Sequence, residues 1–87
     1  MSETDSEYRK LCWRSRRGML ELDQRLIPFV QSAYLELSVD NQQRYKQLLN
    51  CEDTDLLDWL IYRVKPSDAD LAHIVDIILN YVQSSSL

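Results

Sequence analysis

The chain has 87 residues, 45% of them hydrophobic and 28% charged, with one glycine and two prolines. That apolar share is too high for a disordered tail, and so little glycine and proline is poor material for a loop-rich β fold. Ten Lys/Arg against fourteen Asp/Glu leave a net charge of −4, which argues against a nucleic-acid surface. No apolar run reaches the ~20 residues of a membrane helix, so direct membrane insertion is not expected.

Helical periodicity runs through nearly the whole sequence. A first helix is expected from about Ser6 to Arg17, with Tyr8, Leu11 and Cys12 near one face and Trp13 beside it. It stops at Gly18, the lone glycine, which suits a left-handed position just past a helix end. Arg14, Arg16 and Arg17 would then complement the negative end of the helix dipole. A second helix is expected from Met19 to about Leu37, with Met19, Leu22, Leu26, Phe29, Val30, Ala33 and Leu37 as one apolar stripe. Pro28 sits inside it, at a cost of ~3 kcal/mol in an ideal helix interior. The stripe stays in phase across the proline, which favours one kinked helix over two.

Ser38 is placed to cap a third helix through about Leu49, with Val39, Tyr45, Leu48 and Leu49 inward. After the loop Asn50–Asp53, Asp53 or Thr54 would cap a short fourth helix, with Leu56, Leu57, Leu60 and Ile61 inward and Trp59 alongside. Lys65-Pro66 ends it, because the residue before a proline is pushed away from helical geometry. Ser67, with Asp70 three residues later, resembles a capping box for a fifth helix that turns Leu71, Ile74, Val75, Ile78 and Val82 to one side. The expected architecture is all-α, a small five-helix bundle forming a single domain over 1–87, with 1–6 and 83–87 as flexible tails.

Catalytic chemistry has little to work with. His73 is the only histidine and has no cysteine beside it at metal-ligand spacing, so it reads as a surface or boundary helix residue. The serines lack a His/Asp partner set, and one glycine cannot make a phosphate-cradling loop. The pairs Asp53/Asp55 and Asp68/Asp70 are explained as acids at helix N-termini. Cys12 and Cys51 lie outside any CxxC spacing and read as free thiols in a reducing compartment. Neither a secretory signal nor a presequence is visible in Met1–Glu7, and a bacterial cytoplasm is the expected location. No enzyme activity is expected. The tryptophans and tyrosines read mostly as core or boundary residues, with one or two free to line a partner surface.

Charge is unevenly spread. Arg9, Lys10, Arg14, Arg16 and Arg17 hold half of the cations, while Glu52, Asp53, Asp55 and Asp58 form an acidic stretch without one. A local basic spot on an acidic domain points to one specific protein contact. It leads into Arg16-Arg17-Gly18-Met19-Leu20-Glu21-Leu22-Asp23, where Glu21 and Asp23 suit the first turns of the second helix and Arg17 can reach Glu21. This is either a capped corner with a surface salt bridge worth under ~1 kcal/mol, or a glycine-opened corner where a partner backbone approaches closely. Physical reasoning alone leaves the two even.

That stretch resembles the RGxxE motif, usually RRGMxELD, of the succinate dehydrogenase flavinylation factors. Trp13 upstream, Pro28-Phe29 downstream and the block Glu52-Asp53-Thr54-Asp55-Leu56-Leu57-Asp58-Trp59-Leu60 are similar to the same family, as are Lys65-Pro66 and Asp68-Ala69. The acidic block carries Glu52 where aspartate is common. The resemblance spans roughly Arg9 to Val82. It implies a five-helix bundle and an assembly role: binding the flavoprotein subunit of succinate dehydrogenase or fumarate reductase and promoting covalent attachment of FAD to a histidine of that partner. FAD is then the partner's cofactor, none is bound tightly here, and the factor acts as a monomer. The family's functional residues fall on Arg17, Gly18 and Glu21, with Arg16, Met19 and Asp23 adjacent. Arg17 and Glu21 would hydrogen-bond the partner near its flavin, and Gly18 would permit close approach. An alternative from the same resemblance is an antitoxin-like regulator that binds a small membrane toxin. A helix-turn-helix DNA binder is a weaker reading, because its only basic helix runs into the glycine corner.

Overall fold

The computed structural model describes residues 3–85, with side chains from Ser6 to Tyr81. Five α-helices follow one another: α1 (Glu3–Ser15), α2 (Leu20–Ser32), α3 (Val39–Leu49), α4 (Asp53–Leu60) and α5 (Ala69–Ser85), with a 3₁₀ turn at Tyr34–Glu36. No strand occurs among the described residues. The all-α, five-helix expectation is met. The end helices run into the stretches 1–6 and 83–87, and the side chain of Val82 lies outside those described.

Helix α2 is the central element and packs against α1, α4 and α5. Its stripe of Leu22, Leu26, Phe29 and Val30 is buried. The helix passes through Pro28, which is exposed. The bond that proline cannot donate would have gone to the carbonyl of Gln24, itself an exposed residue that water can reach. The helix ends earlier than its periodicity predicts, at Ser32 instead of Leu37. From Ala33 the chain tightens into the 3₁₀ turn, which buries Tyr34 and turns Leu35 outward. Leu37 is extended, so Ser38 meets α3 in cap geometry and accepts a bond from the Asn41 N–H at 3.2 Å, as expected.

Other boundaries move for identifiable reasons. Helix α1 stops at Ser15, leaving Arg16 and Arg17 in the connection, with only Arg14 as a basic residue in its last turn. Val39, expected inward, is 72% exposed. Six residues before Tyr45, it stands about 120° around the helix from the buried face at ~100° per residue. The cap of α4 is Glu52, without a side-chain bond, because Asp53 is already helical and its carboxylate is engaged elsewhere. At α5 the cap is Asp68 and not Ser67. Its Oδ1 accepts from the Leu71 N–H at 3.0 Å, while Asp70 reaches across to Arg44 at 2.9 Å.

Leu11, Leu22, Leu26, Leu48, Leu56, Leu60, Ile74 and Ile78 fill the core. A row of rings crosses it: Tyr8 to Tyr34 at 6.5 Å, Tyr34 to Tyr45 at 5.7 Å, Tyr45 to Phe29 at 5.6 Å, and Phe29 edge-on to Tyr81 at 5.5 Å. Tilted and edge-on pairs at such distances are the favoured aromatic geometries. The row ties α1, α2, α3 and α5 together.

Candidate functional site

The connection from α1 to α2 is built on a buried polar pair. Ser15 is fully buried; its hydroxyl donates to the Leu11 carbonyl at 2.7 Å and accepts from the Tyr45 hydroxyl, also at 2.7 Å. Neither hydroxyl is left unpaired, which would be costly at that depth. Burial raises the Tyr45 pKa far above its ordinary value of 10.0, only partly opposed by the Ser15 hydrogen bond.

Beyond Ser15 the chain turns through Arg16, Arg17, Gly18 and Met19. Gly18 has φ +81°, the left-handed region expected for it. A Cβ at that position would meet nothing within 4 Å, so the face above the glycine is open. Met19 is extended and half-buried, and its carbonyl accepts the Asp23 N–H at 2.9 Å. The Asp23 carboxylate, in the first turn of α2, accepts the Arg17 backbone N–H at 2.8 Å. Thus α2's own N-terminal acid grips the residue before the glycine.

The Arg17 side chain turns inward. Its Nε donates to Asp53 Oδ1 at 2.7 Å; Nη1 donates to the carbonyls of Arg14 and Leu49, each at 3.1 Å; and Nη2 donates to the Cys51 carbonyl at 2.8 Å. One guanidinium therefore serves the C-terminal ends of α1 and α3 and the first residue of α4. Cations are favoured at helix C-termini and anions at N-termini, and Arg17–Asp53 satisfies both at once. Alongside, Arg14 donates to the Asn50 side chain.

The expected pairing of Arg17 with Glu21 does not form: the guanidinium pairs with Asp53, and the Leu49 and Cys51 carbonyls hold it on the same side. Glu21 is exposed and makes no ion pair among the described residues; Arg16 is also exposed. Gly18, Arg16 and Glu21 thus face solvent, Met19 and Asp23 sit half-buried below them, and Arg17 braces the corner from within. Sequence reasoning missed two contributors. Asp53, which the sequence offers as a helix-end acid in the family-like acidic block, is the ion-pair partner of Arg17. Trp13 proves 76% exposed and lines an open groove with Arg9, Cys12 and Arg16, while Leu20 adds a second exposed apolar side chain just past the corner. A signal for Trp13 was present, since it falls beside the apolar face of α1 and not on it.

Cys12 and Cys51 are free and half-buried, and burial pushes the Cys51 thiol up. Among the described residues no group of three or more His, Cys, Asp or Glu is placed to hold a metal ion. None of the described helices is long and apolar enough to cross a membrane.

A family profile described as the flavinator of succinate dehydrogenase matches residues 9–82. The chain belongs to this family. Among relatives similar to this flavinator-family chain is a protein of Pseudomonas aeruginosa named FAD assembly factor SdhE, 49% identical over 79 residues, covering 91% of this chain and 94% of that one. Proteins of the same name from Pseudomonas putida, 45% identical over 90% of this chain and 93% of theirs, and from Idiomarina loihiensis, 40% identical over 93% and 90%, agree with it. Members of the flavinator family are thus named as assembly factors and not as enzymes. Their names favour the assembly reading over the antitoxin-like one.

Proposed function

We propose that this protein is an assembly factor that binds the flavoprotein subunit of succinate dehydrogenase and promotes covalent attachment of FAD to a histidine of that subunit. The flavoprotein subunit of fumarate reductase is the other partner proposed for the same corner. The factor works as a monomer in the bacterial cytoplasm, and FAD belongs to the partner. The observation that carries the reading is the open, side-chain-free backbone at Gly18, braced from below and flanked by the uncommitted charges of Arg16 and Glu21.

Such a surface acts by position. Holding two reacting groups in an attack-ready orientation can account for ~7–11 kcal/mol of a barrier, without a catalytic group on the holder. Gly18 lets partner backbone approach closely, Glu21 and Arg16 hydrogen-bond it, and Met19, Asp23 and Arg17 complete the corner. The test is covalent flavin fluorescence of the flavoprotein subunit on a denaturing gel. It compares a strain deleted for this gene with the same strain complemented by wild type, Gly18→Arg or Glu21→Ala. Loss of signal on deletion, rescued by wild type and not by the variants, is the expected result. Unchanged flavinylation in the deletion strain would remove the proposal.

A further inference from the structure

Arg17 is the residue that the sequence would extend toward a partner, yet both of its ends are tied inside the chain. Its backbone N–H is held by Asp23 at 2.8 Å, and its side chain, only 16% exposed, binds Asp53 and the carbonyls of Arg14, Leu49 and Cys51. Swinging the guanidinium outward would break a charge-assisted bond and leave the Leu49 and Cys51 carbonyls and the Asp53 carboxylate without it. The next residue is Gly18, which has no side chain to select its conformation, and the space a Cβ would enter there is empty to 4 Å. Glycine alone samples left- and right-handed backbone about equally. Something else must therefore hold the corner at φ +81°, and the anchored Arg17 is the residue placed to do it.

We propose that Asp53, acting through Arg17, is a positioning residue of the docking corner: their ion pair sets the attitude in which Gly18 and Glu21 are offered, and Arg17 stays inside the chain in the complex. This rests on the assembly-factor reading and deepens it. It also joins the acidic start of α4 to the basic end of α1, two segments separated by 36 positions, in one working unit.

The full-length chain is titrated calorimetrically into the purified flavoprotein subunit, as wild type, Asp53→Asn, Arg17→Ala, the double variant and Asp53→Glu. In parallel, the Arg17 Nε–H resonance is followed by ¹⁵N NMR in the free chain and in the complex. The expected result is that each single loss weakens binding by roughly tenfold, that the double variant is no worse than the poorer single, and that Asp53→Glu recovers most of the affinity. The Nε–H signal should be slow to exchange with water in the free chain, unshifted in the complex and lost in Asp53→Asn. The proposal is overturned if Asp53→Asn binds like wild type while Arg17→Ala does not, if the two losses add, or if Arg17 Nε–H shifts on complex formation. Should Asp53→Asn fail to fold, the wild-type Nε–H signal decides alone. Failure of the wild-type chain to bind the flavoprotein would instead overturn the assembly reading itself.

Discussion

Two corners of the molecule use the same left-handed backbone with different residues. Between α1 and α2 it is Gly18 at φ +81°; after α4 it is Arg63 at φ +62°. A side chain in that region costs about 1–2 kcal/mol, and at Arg63 the chain bears it. There the N–H of Tyr62 reaches the Leu57 carbonyl at 3.0 Å, that of Val64 reaches Asp58 at 2.8 Å, and buried Pro66 closes the loop. At Gly18 no internal atom demands the missing side chain. The bare backbone there therefore serves no packing need of the chain, and on the proposed function it serves the partner.

The largest effect should separate the two corners outright. Gly18→Arg should bring flavin attachment down to the deletion background while circular dichroism still reports a folded helical chain, since the added side chain enters open space. Gly18→Ala should keep part of the activity, lose about 1–2 kcal/mol from backbone strain alone, and melt lower by roughly 4–8 °C per kcal/mol. Full activity in Gly18→Arg would break the comparison.

Ser15→Ala comes next and tests the footing of the Gly18 corner. It strands the Tyr45 hydroxyl in a buried site, for an expected loss of about 1–3 kcal/mol by denaturant unfolding. Tyr45→Phe, which removes the other partner, should cost less because Ser15 keeps its bond to Leu11.

The same hydroxyl sets a pH limit. Tyr45 is held neutral in the folded chain, with its pKa raised above the ordinary 10.0 by burial. Below pH 10 both folded and unfolded states keep the proton and the stability is fully present; above it the unfolded state loses the proton first, and stability falls as pH rises. Thermal melts from pH 8 to 11 should show the decline beginning near 10, and Tyr45→Phe should flatten it. The smallest effect belongs to the other corner. Arg63→Gly relieves the left-handed strain but loses chain entropy, so it should change stability by under about 1 kcal/mol and leave flavin attachment intact.

Much of the fold was legible in the sequence because it is local. The stripe of α2, the Ser38 cap and the halt near Gly18 each follow from neighbours within a turn or two. The two misassigned caps share one cause, an interaction from outside that window. Asp70 leaves the expected capping box for Arg44 on α3, and Asp53 leaves its capping role for Arg17. Trp13 is exposed because its helix meets α2 and α3 along the Leu11 face, a choice that periodicity alone leaves open.

Local patterning, then, determined that this chain makes five helices with a glycine-opened corner beside a basic helix end, since helix propensity, periodicity and capping act over a few residues. Only the tertiary structure decided which way Arg17 points. Its partners Leu49, Cys51 and Asp53 lie 32 to 36 residues further on, and they come within reach only after α1 packs against α3. An arginine's reach and flat donor fork let it serve a solvent-facing partner or a buried set of carbonyls equally well. The packing of the helices, which no local pattern encodes, makes the choice.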